Sequence, residues 1–316
     1  MKIINLTNLE TSEIKYEVSK FPDGQHQIKI LGYEYFSPGN RREDSSITFY
    51  SISQRNLGDK IQIKSRLNNF KDLELIICTV ASLRNLGVKE IHLYVPFFLG
   101  SRSDRQFEEG SNNYLKQVIC PIINSLKLDS VTVLDPHSDV LEACLNNFKK
   151  KDNLNLVRFA TNSYQHSNKK TSGVMSEDFI LISPDAGANK KIFKIAEQIG
   201  YKGDIITCSK SRDENGKLSR VEIPINTSLI DKDMIIIDDI CDGGATFLNI
   251  AKKLKEIYKG KIYLIVTHGI FSKGLTELNK YFDGIYTTDS YATISNPVFS
   301  LTKDDSFKKV HQLKVF

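Results

Sequence analysis

DMIIIDDICDGGATF, residues Asp233–Phe247, decides how this chain is read. Met234 to Ile237 is an unbroken apolar run, the signature of a strand buried on both faces of a parallel sheet. Asp238 and Asp239 stand at its C-terminal end. A tight loop follows, Asp242-Gly243-Gly244-Ala245-Thr246, and a helical pattern runs from about Phe247 to Lys259. A glycine loop that opens a helix offers free backbone N–H groups and the positive end of the helix dipole, which together favour a phosphate. Paired acids beside it suit the vicinal hydroxyls of a ribose, or a bound Mg²⁺. The window therefore points to a phosphorylated sugar more than to a nucleotide. The alternative is a strand-to-helix turn that needs glycine only for its dihedrals. It is not a Walker loop, because no Gly-Lys-Ser/Thr follows.

Outward from this stretch, apolar runs and helical periods alternate. Strands are expected at Ser46–Ile52, Ile91–Phe98 and Val131–Leu134. Helices are expected along Leu73, Ile76, Ile77, Val80 and Leu83 to about Gly87, over Tyr114–Leu126 and over Val140–Phe148. The apolar pattern breaks around Lys149–Asn153, where Lys149-Lys150-Lys151 reads as linker. A domain boundary is placed there, dividing the chain into 1–148 and 149–316. Ser163–Gly173 reads as a surface loop. Beyond it come strands at Phe179–Ser183, Asp204–Thr207, Met234–Ile237, Ile262–Thr267 and Gly284–Thr287. Helices fall at Lys190–Gly200, Phe247–Lys259 and Gly274–Tyr281, and Val310–Phe316 could add a last strand. Both halves are thus α/β with mostly parallel sheets.

A chain of 316 residues, 40% hydrophobic and 26% charged, suits a soluble globular protein of about two domains. No run is long or apolar enough to span a bilayer, and MKIINLTNLE lacks a signal core. A cytoplasmic protein is expected (host cytoplasm if phage-encoded), with no membrane partner. Net charge is +5, from 43 basic against 38 acidic residues, and the basic residues are scattered. That suits anionic metabolites, and no aromatic-basic motif points to nucleic acid. The cysteines at 78, 120, 144, 208 and 241 show no Cys-X-X-Cys spacing and read as reduced thiols, Cys241 lying in the loop.

Ligands of open α/β sheets bind where strand C-termini turn into loops. Polar residues collect at those ends here: Gly100–Arg105, Asp135–Asp139, Ser183–Ala188, Lys210–Arg212, the opening loop, and Thr267-His268-Gly269. Six such clusters in phase with strand ends are hard to explain by packing.

Their residues resemble those of the phosphoribosyl pyrophosphate (PRPP) synthetases, or ribose-phosphate pyrophosphokinases, from Phe21 to about Ser272. FPDGQ at Phe21–Gln25 resembles Phe-x-Asp-x-Glu, and SRSDR at Ser101–Arg105 resembles Ala-Arg-Gln-Asp-Arg. Asp135–His137 resembles Asp-Leu-His, and SPDAGANK at Ser183–Lys190 resembles Ser-Pro-Asp-x-Gly-Gly-x-Lys. Lys210-x-Arg212 resembles the Lys-x-Arg of a catalytic flexible loop, and Asp238–Thr246 resembles Asp-Asp-x-x-Asp-Thr-x-Gly-Thr. The resemblance implies two type I phosphoribosyltransferase-like domains, each a mostly parallel sheet flanked by helices. It also implies transfer of the β,γ-diphosphate of ATP, with Mg²⁺, to the anomeric hydroxyl of a ribose 5-phosphate group.

The N-terminal domain would then serve ATP, and the C-terminal domain would carry the sugar-phosphate and catalytic loops. The implied catalytic residues are Lys210, Arg212 and His137, with His137 and Asp185 as metal or phosphate ligands. On the ATP side stand Arg102, Asp104 and His137. Phe21, Asp23 and Gln25 would contact adenine on a neighbouring subunit, so a homo-oligomer, dimer or hexamer, is implied; read alone, Asp23-Gly24 is a hairpin turn. Asp238 and Asp239 would hold the ribose hydroxyls. Asp242, Gly243, Gly244, Ala245 and Thr246 would form the phosphate cradle.

Departures from the pattern matter. Gln25 stands for Glu and Ser103 for Gln. Phe107-Glu108-Glu109-Gly110 stands where relatives carry basic residues tied to phosphate activation and ADP inhibition, so loss of that regulation is expected. Gly243 stands for the usual Thr, which removes a hydroxyl donor and side-chain bulk. A terminal phosphate wants donors, whereas a phosphate within a diphosphate ester wants room. With Asp135–Val140, this loop resembles a divergent, phage-like branch that accompanies nicotinamide phosphoribosyltransferase-like enzymes. The acceptor is therefore expected to be ADP-ribose, giving ADP-ribose 1-pyrophosphate for rebuilding NAD⁺. Ribose 5-phosphate, giving PRPP, is the alternative. A phosphoribosyltransferase and a non-catalytic regulatory subunit explain fewer of the motifs.

Overall fold

The structure, a computed structural model, describes residues 1–33, 57–167, 179–212, 218–224, 229–294 and 309–316. The strand expected over Ser46–Ile52 lies outside these residues. The chain forms two compact units, Met1–Lys151 with Phe316, and Asp152–Val315.

The first unit holds a five-stranded, wholly parallel sheet. Its order is β1 (Lys2–Asn5), β4 (Lys60–Lys64), β5 (Glu90–Tyr94), β6 (Ser130–Leu134) and β7 (Phe148–Lys151). Ile61, Ile63, Ile91, Leu93, Val131 and Val133 alternate along their strands into one core, which they share with Ile76, Val80 and Leu83 of α1 (Phe70–Asn85). Asn69 caps α1, its side chain accepting from the N–H groups of Lys71 at 2.9 Å and Asp72 at 3.1 Å; such a cap contributes about 1 kcal/mol. A hairpin, β2 (Ile14–Lys20) and β3 (His26–Tyr33), adds Ile14, Tyr16, Ile28 and Ile30 to that core. Glu74 on α1 holds its base, accepting from the His26 N–H at 3.0 Å and meeting His26 Nδ1 at 2.7 Å. The helix expected over Tyr114–Leu126 opens as a π turn, Leu115–Ile119, and continues as α2 (Cys120–Ser125). Pro121, which has no N–H to donate, lies at the join.

Two expectations fail at the edge of this sheet. The helix expected over Val140–Phe148 is only α3, Val140–Cys144. Asparagines end it: Asn146 N–H donates to Asn124 Oδ1 at 2.9 Å, Asn147 Nδ2 donates to the Leu128 carbonyl at 2.9 Å, and Asn147 is left-handed at φ 53°. Lys149-Lys150-Lys151 is then no linker but the body of β7, paired in parallel with β6 and with its lysines exposed.

The second unit has a six-stranded parallel sheet. Its order is β9 (Ile205–Thr207), β8 (Phe179–Ser183), β12 (Asp233–Cys241), β13 (Ile262–Gly269), β14 (Gly284–Thr288) and β15 (Val310–Leu313). Alternate residues of β12 face different layers. Ile235 and Ile237 pack with α4 (Leu154–Ser167) and α5 (Asn189–Gln198), while Met234 and Ile236 pack with α6 (Ala245–Ile257) and α7 (Thr276–Tyr281). The surface loop expected from Ser163 is helical to Ser167. Its polar residues are tolerated because Thr161 and Ser163 hydroxyls donate to the carbonyls of Val157 and Phe159, four residues back, at 2.9 and 2.8 Å. Leu156, Val157, Ala160 and Tyr164 supply the buried face.

The chain leaves β8 toward β9 on one side, and leaves β12 toward β13 on the other. That reversal is a topological switch point, and the crevice beyond the strand C-termini there is where such sheets bind ligands. Pairing with β8 is recorded only to Ile236, whereas pairing with β13 continues to Cys241. The acids of β12 thus project past one neighbour. The strand is also longer than the apolar run suggests, and Cys241 is its buried last residue rather than part of the loop.

Candidate active site

In the second unit the turn glycine is Gly244, left-handed at φ 76°, and it serves as the N-cap of α6 with no side-chain cap. The first-turn N–H groups of α6 therefore face outward from the helix start beside the acids. Phe247, Ile250, Ala251 and Leu254, at helical spacing, bury the opposite face. Gly243 lies outside the left-handed region, so its backbone does not require glycine. Space does not require it either, because the nearest atoms lie at ordinary contact. A Cβ there would meet Cδ and Cε of Lys273 at 3.4 Å.

Asp239 is buried, and its N–H donates to Asp238 Oδ1 at 2.9 Å. Burial, then the charge of Asp239 and a side-chain hydrogen bond with it, push the Asp238 carboxyl well above the usual carboxylate range; Lys191 on α5 opposes this. Two adjacent carboxylates resist ionising together.

Other groups stand around the same sheet end. Asp185 caps a short 3-10 turn, Ala186–Ala188, by accepting from the Ala188 N–H at 3.0 Å, and the Ser183 hydroxyl donates to the Asp185 carbonyl at 2.7 Å. Part of Asp185 is thus already engaged in shaping its loop. Lys210 and Arg212 fall on β10 (Ser209–Arg212), which pairs antiparallel with β11 (Leu218–Glu222); Ser209 lies opposite Glu222 and Lys210 opposite Val221. Their segment was expected as a loop with little to pack, and a two-stranded ribbon is how its backbone satisfies itself.

Thr267-His268-Gly269 departs from the binding pattern. All three are buried, His268 Nδ1 meets Ser290 Oγ at 2.8 Å, Asn153 Nδ2 donates to Thr267 Oγ1 at 3.1 Å, and Gly269 N–H donates to Thr287 Oγ1 at 3.0 Å. This cluster is an internal network joining strand ends.

In the first unit, β5 and β6 are neighbours, so the loops that follow them meet. Asp104 is buried; Arg105 Nε donates to its Oδ1 at 3.2 Å, and the Ser138 hydroxyl also faces it. Burial alone would raise this carboxyl. The nearby Ser138 hydroxyl, the Arg105 hydrogen bond and the charges of Arg105 and His137 outweigh burial and hold it below the usual range. Asn113 Nδ2 donates to the Asp104 carbonyl at 2.8 Å, fixing the loop. Arg102 and His137 are exposed on these loops. Asp135 takes the left-handed region at φ 43°, which aspartate tolerates and which turns the chain sharply after β6. Phe21 forms the tip of the β2–β3 hairpin, its N–H donating to Gln25 O at 2.8 Å; Gln25 N–H donates to Asp23 Oδ1 at 3.2 Å. Phe21 is 48% exposed. Ser138 and Lys273 were absent from the sequence-derived set.

Among the described residues no group of three or more His, Cys, Asp or Glu side chains is placed to hold a metal ion. Mg²⁺ commonly needs only one or two protein ligands besides phosphates and water, so the donor set still fits it. Among them, too, no helix is long and apolar enough to cross a membrane. The five cysteines are free, and burial, foremost, raises the thiols of Cys120 and Cys208 to about 12.

No family model matches the chain. Individual proteins do. The ribose-phosphate pyrophosphokinase of Thermococcus kodakarensis is 25% identical over 298 residues, 93% of this chain and 90% of that protein. That of Pyrococcus furiosus is 26% identical, covering 90% and 88%. The phosphoribosylpyrophosphate synthetase crystal structure from Mycobacterium smegmatis superposes with a TM-score of 0.73 at 15% identity, covering 100% of this chain and 95% of that one. The fold is thus α/β, two mostly parallel sheets flanked by helices, consistent with two type I phosphoribosyltransferase-like domains. Sequence and fold together support the ribose-phosphate pyrophosphokinases as the family to which this chain is related.

Proposed function

We propose that the protein is an ATP-dependent pyrophosphokinase that transfers the β,γ-diphosphate of ATP to the C1 hydroxyl of ribose 5-phosphate. The hydroxyl oxygen attacks the β-phosphorus and loses its proton. The bond from that phosphorus to the α,β-bridging oxygen breaks, and AMP leaves. The observation that carries this reading is the end of β12, where two adjacent carboxylates lie close in sequence to a helix start without a side-chain cap at a switch point. A ribose phosphate supplies hydroxyl donors to the acids and an anion to the helix. The names of the relatives support the same acceptor.

In this mechanism Lys210 and Arg212 neutralise charge on the transferring group. Asp104, held by Arg105 and Asn113, braces the loop that presents Arg102 to ATP, with His137 on the neighbouring loop. Phe21, Asp23 and Gln25 take adenine on a neighbouring subunit, so the enzyme is a homo-oligomer. Mg²⁺, held by the ATP phosphates with His137 and Asp185 as candidate ligands, would supply charge neutralisation. The enzyme works in the cytoplasm.

Gly243 favours a second reading, in which ADP-ribose is the acceptor and the product passes to a nicotinamide phosphoribosyltransferase-like enzyme. Incubation with ATP, Mg²⁺ and either acceptor, followed by AMP release, separates them. AMP with ribose 5-phosphate alone removes the second reading, and AMP with ADP-ribose alone removes the first. Lys210→Ala is expected to lower the rate by about 10²–10³, with KM for ribose 5-phosphate little changed. An unchanged rate would refute this mechanism.

A further inference from the structure

We infer that Lys273 binds the phosphate of the sugar acceptor, taking the place of the hydroxyl missing at Gly243; this rests on the pyrophosphokinase reading above. Three observations lead there. First, Gly243 does not need to be glycine for its backbone, yet its side-chain space is bordered by the Lys273 stem, with Cγ, Cδ and Cε at 3.4–3.6 Å from a Cβ placed there. The lysine stem therefore runs beside the position at which the hydroxyl is missing.

Second, the turn that carries Lys273 is fixed to the phosphate loop's own strand. The N–H groups of Ile270 and Phe271 both donate to the Cys241 carbonyl, at 2.9 and 3.1 Å, and Gly274 N–H closes the turn on the Phe271 carbonyl at 2.8 Å. Third, Phe271 is strained. It is a bulky, buried residue at φ 49°, and its ring fills the space over Gly269, where a Cβ would come within 2.2 Å of it. Such conformations persist where the surroundings force them, and they gather at ligand clamps. Here the strain sets the direction in which residue 273 leaves the turn.

An ammonium at this position carries three donors and a full charge. It suits the dianion of a terminal phosphate better than the single charge of a phosphate within a diphosphate ester. The space that Gly243 opens is thus bordered by a cation, which deepens the case for a ribose 5-phosphate acceptor.

The test uses the full chain. Lys273→Ala is expected to raise KM for ribose 5-phosphate about tenfold or more, the loss expected for one charge-assisted hydrogen bond, with kcat within about threefold. Adding Gly243→Thr to Lys273→Ala should recover much of that loss by returning a hydroxyl. A KM unchanged in Lys273→Ala, or a double variant no better than the single one, overturns the inference. Calorimetric titration of wild type and Lys273→Ala with ribose 5-phosphate reads the same contact without turnover. If the wild type releases no AMP, the proposed reaction fails. The titration still decides Lys273: weaker binding in the variant supports it and equal binding overturns it.

Discussion

Two aspartates, one in each unit, have been driven in opposite directions: Asp104 is buried in the loop after β5, and Asp238 is half-buried within β12. Asp104 of the first unit has met a cationic partner, Arg105, and its carboxyl is held low. Asp238 of the second unit meets another carboxylate, and its own is held high. A buried charge is tolerable once paired and hydrogen-bonded, and costly otherwise. Asp104 therefore belongs to the finished scaffold. Asp238 is a cost that the fold carries.

The sharpest way to break this contrast is to neutralise each acid. Asp104→Asn should destabilise the protein by about 1–3 kcal/mol, because donors arranged around a carboxylate lose it. Asp238→Asn should do the reverse, raising stability by about 1 kcal/mol while cutting AMP release, since it relieves repulsion but removes an acceptor for a sugar hydroxyl. Chemical denaturation of both variants checks the signs. If both are destabilised alike, the contrast is wrong.

Acidity should separate the two further. Asp104 has a depressed folded-state value, so its stabilisation is full above its unfolded value and is lost as pH falls through the folded one. Asp238 has a raised value, so its favourable contribution is present below its unfolded value and is lost as pH rises through the folded one. The stability gain of Asp238→Asn should therefore grow from acidic to neutral pH, while the loss in Asp104→Asn should shrink toward strongly acidic pH. Thermal melts across pH follow both trends.

The smallest expected effect compares adjacent glycines. Gly244→Ala meets both a left-handed backbone and Leu278 at 3.2 Å, and should cost about 1–2 kcal/mol. Gly243→Ala has neither problem and should be neutral within about 0.5 kcal/mol. Equal losses would mean that the loop needs both glycines for its turn.

These contrasts also explain what could be read from sequence. The alternation of elements and the polar strand ends were legible because buried parallel strands are continuous apolar runs and their C-termini carry the ligand groups. The strand Phe148–Lys151 was not, because an edge strand need bury little and can be written almost wholly in lysine. The helix from Leu154 hid behind threonine and serine whose hydroxyl bonds are invisible to periodicity. Within the site, Gly243 was legible as a vacancy. Its neighbour Lys273 was not, because thirty positions and a whole strand and helix separate them. Thr267-His268-Gly269 looked like ligands but forms an internal network, since polarity at a strand end does not by itself say which way the groups face.

The lysine strand has a consequence for how the protein behaves in bulk. An outermost strand offers unpaired backbone groups to any other chain, and charged residues along it discourage such pairing. Lys149, Lys150 and Lys151 are exposed on that strand in the first unit's sheet. They act as gatekeepers of colloidal stability. A variant carrying threonine at all three positions should fold and turn over normally when dilute, yet scatter light and precipitate as its concentration rises.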